Sequence, residues 1–393
     1  MRVLAVGNMY PPHHFGGYEL VWRSAMRHVE RNGHATRVLT TGLRTDTTEP
    51  DDPNVRRDLR WYWRDHAFPE LSRLERVRLE RHNARVLRQE LRRFAPDVVS
   101  WWSMGGMSLS MVERVRRLGL PAVAFVHDDW LDYGRRVDGW TRVLAGRTGA
   151  TARLAELVTG APAHVDLERA ARYVFVSETT RRRAAEAGVR PASTGVAHSG
   201  IDPGFVDPAP EREWRWSLLY VGRLDERKGV STVVHALARL PEAATLTLIG
   251  GWDAAEEARL RELAAGDGVA ARIRFAGQLS RAEVRAAYAD CDAVVFPVRW
   301  EEPWGLVPLE GMARGRPVVA TGRGGSGEYL RDGENALLFE AGDAAALADA
   351  VRRLADDPGL RARLREGGLA TAPLHTEDQF NAAVLRELVE AVR

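Results

Sequence analysis

"WEEPWGLVPLEGMARGRPVVA", residues 300–320, decides how the chain is read. Ahead of it, "CDAVVFPV", residues 291–298, is a valine-rich apolar run, long enough for a buried parallel strand and too short for an ordinary helix. A loop leaving the C-terminal end of such a strand is where an α/β sheet places a ligand. Here the loop carries Glu301, Glu302, Pro303, Trp304 and Gly305, and residues 306–314 fit a short helix stopped by Gly315 and Pro317. Gly305 lets the N–H groups at the helix start, Leu306 among them, approach an anion closely, and a helix N-terminus favours that anion; a phosphate suits the place. Glu310 lies one turn inside the helix, eight residues after Glu302, so one carboxylate sits on the loop and one on the helix. Two carboxylates flanking a phosphate can hold two sugar rings by their hydroxyls. Taken alone, they fit a solvated loop charge and a helix-surface residue equally well.

A second stretch shifts that balance. "LLYVGRLDERKG", residues 218–229, is a short strand running into a glycine turn with Arg223, and Lys228 then opens the next apolar helix. Lys228 is the only lysine among 56 basic residues, in a chain that uses arginine everywhere else. A compact ammonium with three donors is chemically distinct from a guanidinium fork, so its survival here points to a specific task. "GRLDERKG" together with residues 300–320 resembles the donor-binding half of retaining glycosyltransferases with the GT-B fold, in the large family 4 that includes sucrose synthases and bacterial mannosyltransferases. The E-x7-E signature of that family matches Glu302 and Glu310, with its internal glycine at Gly305. Trp304 stands where phenylalanine is usual and Gly311 where alanine is usual.

The resemblance implies an α/β chain of two Rossmann-like domains facing across a cleft. Residues 1–203 would bind the acceptor and residues 204–375 the nucleotide sugar, with residues 376–393 as a terminal helix crossing back to the first domain. It further implies that Glu302 hydrogen-bonds the transferred sugar, Glu310 holds the ribose hydroxyls, and Gln278 lies in the loop approaching the base. Breaking the glycosidic bond of a sugar nucleotide puts negative charge on a phosphate oxygen. Arg223, Lys228 and the N–H groups around Gly305 and Leu306 can stabilise it with no metal and no cofactor beyond the donor. Retention at the anomeric carbon, by same-face attack through an oxocarbenium-like state, is the implied stereochemistry.

The rest of the chain is consistent with this reading. At 393 residues it exceeds one ordinary hydrophobic core, and 45% hydrophobic with 28% charged content describes a globular protein. Net charge is only +2, with 54 acidic residues interspersed among the basic ones, so no tract reads as a nucleic-acid arm. Cys291 is the only cysteine, which excludes an internal disulfide and leads us to expect a reducing, cytoplasmic setting. The opening "MRVLAVGNMYPP" reads as a buried first strand over 3–7 and not as a signal peptide, and no run of about twenty apolar residues calls for a membrane span.

The loop "NMYPPHHFGGYE", residues 8–19, precedes a helix expected over 18–32; its Gly16 and Gly17 allow close backbone approach, although such pairs are as often plain turns. In the resembled family a Gly-Gly loop here faces the donor diphosphate. His127 follows the apolar run of "PAVAFVHDDW", residues 121–130, at the functional end of a strand, and the resemblance makes it an active-site histidine; Asp128 and Asp129 can bond the imidazole or begin a helix. His13, His14 and His127 lack metal-ligand spacing. In the arginine-rich segment 71–94, Leu71, Leu74, Val77 and Leu87 mark an apolar side. Trp61, Tyr62, Trp63 and Phe68 before it are acceptor-site candidates, since aromatic faces suit sugar rings. Residues 131–170 read as helical, with Trp140 and "GRTGATARL", 146–154, as one wall of that site. Six of the 12 tryptophans, Trp61, Trp63, Trp101, Trp102, Trp130 and Trp140, thus fall where a ring-rich acceptor can be buried, the alternative being that most of them, Trp101 above all, pack in the core.

The expected activity is transfer of a hexose-type sugar, UDP-linked, to a hydroxyl of a small-molecule or natural-product acceptor. The alternatives are an epimerase or hydrolase of the same fold, a transferase acting on lipid or polysaccharide, and a sugar-nucleotide binding module in which His127 has no role. A phosphorylase holding pyridoxal phosphate needs a buried lysine, and Lys228 is already committed.

Overall fold

A computed structural model of the chain describes residues 1–63, 67–144 and 149–393, so Gly146, Arg147 and Thr148 of the glycine-threonine segment lie outside the described residues. Among the described residues two compact units emerge: Met1–His198 with Gln379–Arg393, and Ser199–Asp378. The changeovers fall a few residues before the expected junction at 203/204 and a few after that at 375/376.

In the first unit, strands β1 (Arg2–Val6), β2 (Ala35–Thr41), β3 (Val55–Leu59), β4 (Val98–Trp101), β5 (Ala122–Val126), β6 (Arg172–Phe175) and β7 (Thr194–Val196) form one sheet. In the second, β8 (Ser217–Val221), β9 (Thr245–Ile249), β10 (Ile273–Gly277), β11 (Ala293–Phe296), β12 (Val318–Ala320) and β13 (Leu337–Leu338) form the other. The orders are β3-β2-β1-β4-β5-β6-β7 and β10-β9-β8-β11-β12-β13, and the ladders are parallel throughout. Each sheet therefore has a switch point where the order reverses, between β1 and β4 and between β8 and β11. All its C-terminal strand ends share one edge, where open α/β sheets bind ligands.

The central strands read as continuous apolar runs because helices cover both faces. Residues of β11 are buried along its whole length, with Val294 opposite Leu219 of β8 and Val318 of β12. The helix Arg73–Phe94 opens on a capping box between Ser72 and Glu75. Its apolar side differs from the expectation: Leu74 is 57% exposed, while Leu79, Val86 and Leu87 are buried together with Glu80, Asn83 and Glu90. Those polar side chains are satisfied inside. Glu80 accepts from Tyr62, Ser108 and Ser110, each at 2.7 Å, Asn83 bonds both backbone groups of Arg60, and Glu90 pairs with Arg37 and Arg56 at 2.9 Å. Hydrophobic periodicity cannot see a buried face built from paired polar groups.

The last helix, Glu377–Val392, buries Phe380, Val384 and Leu388. Asn381 donates to Ser24 at 2.9 Å, and Glu387 pairs with Arg172 of β6, fastening the end of the chain to the first unit.

Candidate active site

The second unit gathers most of the expected donor residues at one edge of its sheet. Arg223 and Lys228 follow β8, Gln278 follows β10, and Glu302, Gly305, Leu306 and Glu310 follow β11, so the β8 and β11 loops stand on the two sides of the switch point. The helix beyond β8 starts at Val230, as expected, and runs Val230–Leu237; Lys228 does not open it but closes a 3₁₀ turn, Glu226–Lys228, just ahead of it. Gly229 between them has φ +70°, and a Cβ there would meet the Pro297 carbonyl oxygen at 2.0 Å, so only glycine lets the β8 loop lie against the end of β11.

That approach brings Lys228 and Glu302 together. Lys228 Nζ donates to Glu302 Oε2 at 2.7 Å, and both side chains are largely buried, at 15% and 13% exposure. Trp300 Nε1 donates to the same oxygen at 2.7 Å, and the Arg227 guanidinium lies over the Trp300 ring at 4.7 Å. One lysine donor is thus spent on orienting the carboxylate, while an ammonium has three. Arg223 sits further out, 3.5 Å from Asp225, with its side chain 56% exposed.

The helix after β11 runs Leu306–Ala313 from Gly305, which has φ +88° and ψ 93°, a conformation that side-chain-bearing residues avoid. The Tyr329 hydroxyl donates to the Gly305 carbonyl and fixes the turn. Glu310 Oε2 accepts from the Tyr288 hydroxyl at 2.7 Å, and burial raises the Glu310 carboxyl above its ordinary range, against that bond and the Arg281 charge. Burial, and then the charges of Glu302 and Glu310, hold the Tyr329 hydroxyl well above its ordinary range. Gln278 is exposed in the loop after β10, its amide beside Gly251 of the loop after β9.

The remaining expected residues lie in the first unit. Gly17 caps the helix Tyr18–Arg31, and a Cβ at Gly17 would meet open space, so this helix start is accessible. Gly17 has ordinary helical backbone, φ −79° and ψ −21°, so the glycine matters here for room and not for conformation. Tyr18 packs at a tilt against His127 with ring centroids 4.4 Å apart, and Phe380 meets His127 edge-on at 5.4 Å. The Gly-Gly loop and His127 are therefore neighbours. The His127 ring keeps some exposed surface, yet it is set deeply enough that desolvation pushes its pKa down to about 3. Neutral imidazole offers one donor and one acceptor. Asp128 stands just ahead of the next helix, Trp130–Val137, accepting from Tyr133 at 2.8 Å and Trp130 N–H at 3.3 Å, while Asp129, at the N-cap position, pairs with Arg183 at 2.7 Å.

The acceptor candidates need correction. Trp101 and Trp102 are fully buried, Trp130 and Trp140 nearly so, and Tyr62 is buried as a donor to Glu80. Trp102 stacks between Trp22 and Phe125 at 5.6 and 4.6 Å: these large rings fill the core beneath the strand ends. Trp61 and Trp63 remain partly exposed, 4.6 Å apart, and line a cavity of about 470 Å³ with Arg60, Leu71, Glu75 and Arg78, beyond the ends of β2 and β3. Reading the sequence alone missed Trp300, Tyr288 and Tyr329. Trp300 sat inside the decisive stretch, whereas the two tyrosines are distant in sequence and carry no local signal.

Among the described residues no cluster of histidine, cysteine or carboxylate side chains is arranged to hold a metal ion, and no helix is long and apolar enough to cross a membrane.

Comparison with known proteins completes the picture. Residues 15–205 match the family described as Glycosyltransferase Family 4, and residues 207–370 that of Glycosyl transferases group 1. The lipopolysaccharide core biosynthesis glycosyltransferase LpsE of Rhizobium meliloti is 41% identical over 154 residues, 39% of this chain and 44% of that protein. The chain thus spans less than half the length of this curated relative. Sucrose-phosphate synthase of Thermosynechococcus elongatus superposes with TM-score 0.74 at 21% identity over 99% of both chains. HepE of Anabaena in complex with UDP-glucose does so with TM-score 0.71 at 18% identity, over 99% of this chain and 100% of that one. Matched in its two halves by two glycosyltransferase families and end to end by the fold of these solved structures, the chain is a homologue of sugar transferases built on two Rossmann-like α/β domains, the GT-B fold.

Proposed function

We propose that the protein is a retaining glycosyltransferase that moves a hexose-type sugar from a UDP-linked donor to a hydroxyl of a small-molecule or natural-product acceptor, without a divalent ion. The observation that carries this reading is the Lys228–Glu302 pair closing the β8/β11 switch point beside the helix start at Gly305. In this reading the helix N–H groups, the two remaining Lys228 donors and Arg223 receive the diphosphate. Glu310, with one oxygen fixed by Tyr288, accepts from the ribose hydroxyls, and Gln278 borders the base. Glu302, oriented by Lys228 and Trp300, accepts from hydroxyls of the transferred sugar.

The bond from the anomeric carbon to the β-phosphate oxygen breaks, and its electron pair stays on the phosphate. The acceptor hydroxyl bonds to the same face of the oxocarbenium-like carbon and passes its proton to the departing phosphate oxygen. Neutral His127 offers a hydrogen bond to the transferred sugar, and the open helix start at Gly17 a second set of N–H groups for the donor. The cavity beside Trp61 and Trp63 is the acceptor's proposed place, aromatic faces receiving a ring. HepE binding UDP-glucose supports the choice of uridine. The cytoplasm is the proposed setting.

A second reading, transfer to a lipid-borne acceptor, is favoured by one feature: Leu154, Leu157 and Val158, at helical spacing on Gly149–Thr159, are 61%, 82% and 51% exposed. Incubation of the purified protein in chelator with UDP-, GDP-, ADP- and dTDP-sugars and a mixed acceptor library, read by mass shift and NMR of the anomeric centre, tests the proposal. Transfer to soluble acceptors with retained configuration is expected. Transfer only to lipid or polymer fractions would overturn the acceptor, inversion the mechanism, and sugar release without any acceptor would favour an epimerase or hydrolase.

A further inference from the structure

Trp304, within the E-x7-E loop, touches both segments through which the chain enters and leaves the second unit. It is 3% exposed, and its Nε1 donates to the Ser199 carbonyl, the first residue of that unit, at 2.7 Å. Its ring meets His375, three residues before the unit ends, at 5.2 Å, and Tyr329 at 5.0 Å. Those two segments are themselves zipped together. Ile201 N–H donates to the His375 carbonyl and Glu377 N–H to the Ile201 carbonyl, both at 2.9 Å, in a parallel bridge between Ile201 and Thr376. The contact is so close that a Cβ at Gly200 would lie 1.9 Å from the Thr376 carbonyl carbon.

On its other side Trp304 is covalently next to Gly305, whose carbonyl is held by Tyr329, the same ring that packs on Trp304 and His375. The indole is thus hydrogen-bonded to the entry segment and packed edge-on against the exit segment. A phenylalanine would keep the packing but leave the buried Ser199 carbonyl without this donor, and a buried polar group that loses its partner is costly.

We infer that Trp304 is a positioning residue. Through its N–H to Ser199 and its edge-on contact with His375 it sets the position of Gly305 and the helix start behind it, and it transmits nucleoside diphosphate occupancy at that start to the paired segments 199–201 and 375–377. This rests on the proposed donor site. It adds to it a prediction the donor site alone does not make: ligand-dependent protection of backbone amides in segments to which the proposed donor site assigns no contact.

Amide hydrogen exchange of the full chain, with and without saturating UDP, reads this directly. The N–H groups of Ile201 and Glu377 are expected to exchange at least about tenfold more slowly with UDP bound in the wild type. In Trp304→Phe that ligand-induced protection is expected to disappear, and the UDP dissociation constant to rise about tenfold, because the helix start is no longer held ready for the ligand. Thermal unfolding of the variant, run alongside, reports whether it is folded. Wild-type protein that binds UDP with no change at Ile201 and Glu377, or a folded Trp304→Phe that keeps both affinity and protection, would overturn the inference while leaving the donor site intact. Absence of UDP binding by the wild type would overturn the donor reading and this inference with it.

Discussion

Glu302 receives Lys228 and Trp300 on one carboxylate oxygen, so its direction is set before any substrate arrives. Preorganised groups aimed at developing charge are where enzymes gain most, and in the proposed reaction Lys228 would have two tasks, orienting Glu302 and meeting the leaving phosphate. Lys228→Ala should lower kcat/KM by about 2 to 4 kcal/mol of transition-state stabilisation, mostly through kcat, and steady-state kinetics with the preferred donor will show it. Kinetics within a few fold of the wild type would remove Lys228 from the phosphate. Tyr288→Phe leaves Glu310 without its fixed partner and should raise the donor KM several-fold, about 1 kcal/mol, with kcat little changed. Because Glu310 titrates above the ordinary carboxylate range, its acceptor oxygens are lost as pH falls through that raised value. Donor affinity should therefore weaken at acid pH, and less so in Glu310→Gln, as calorimetry from neutral to mildly acidic pH will report. His127 is neutral down to about pH 3, so its hydrogen bond does not titrate over the working range. His127→Phe, which keeps an aromatic ring against Tyr18 and Phe380, should cut turnover while sparing nucleotide affinity; unchanged turnover would remove His127 from the reaction, and donor binding without turnover in the wild type would favour a binding module.

At the scale of elements, Gly305, like Gly229, holds a backbone conformation that other residues adopt only with strain. A Cβ there would meet the Phe296 ring at 3.0 Å, so Gly305→Ala should destabilise the protein by about 1 to 3 kcal/mol and also displace the helix start. Denaturant unfolding and UDP titration measured together will separate the two effects. In the helix Arg73–Phe94, burial and then the charge of Asp138 push Glu80 up to about 7, against hydrogen bonds from Ser110, Ser108 and Tyr62. Between its unfolded value, about 4.3, and that raised one, the native state binds more protons than the unfolded chain, so this group makes stability fall as pH rises across that window. Glu80→Gln should flatten the trend, read as the difference in melting temperature between pH 5 and pH 7.5; a variant with the wild-type slope would contradict the assignment. These two elements also mark how far the sequence could be read. The strand before residue 300, the loop and the short helix were legible because apolar run, glycine and stop signals agree over a few residues. The buried face of Arg73–Phe94 was not, because Glu80, Asn83 and Glu90 are polar residues made tolerable by partners far away in sequence.

Across the whole molecule, two parallel sheets with reversing strand order place Arg223, Lys228, Glu302 and Glu310 at the strand ends of one unit and Gly16, Gly17 and His127 at those of the other. The alternation of short valine-rich strands with amphipathic helices made that architecture readable. The tryptophans misled because a large ring at the end of a buried strand looks the same in sequence whether it fills the core, as Trp101 and Trp102 do, or lines a cavity, as Trp61 and Trp63 do. The last helix belongs to the first unit through Phe380, Val384 and Leu388, and Leu388→Ala, at a fully buried position, should lower stability by about 2 to 5 kcal/mol. The central claim is that the Lys228–Glu302 pair and the Gly305 helix start form a metal-independent site for a nucleoside diphosphate. Calorimetric titration of UDP in chelator, into the wild type and into Lys228→Ala, tests it most directly. Saturable one-to-one binding weakened at least about tenfold by the substitution is the predicted result; equal affinity in the two proteins, or no binding of UDP, GDP, ADP or dTDP by the wild type, would contradict it.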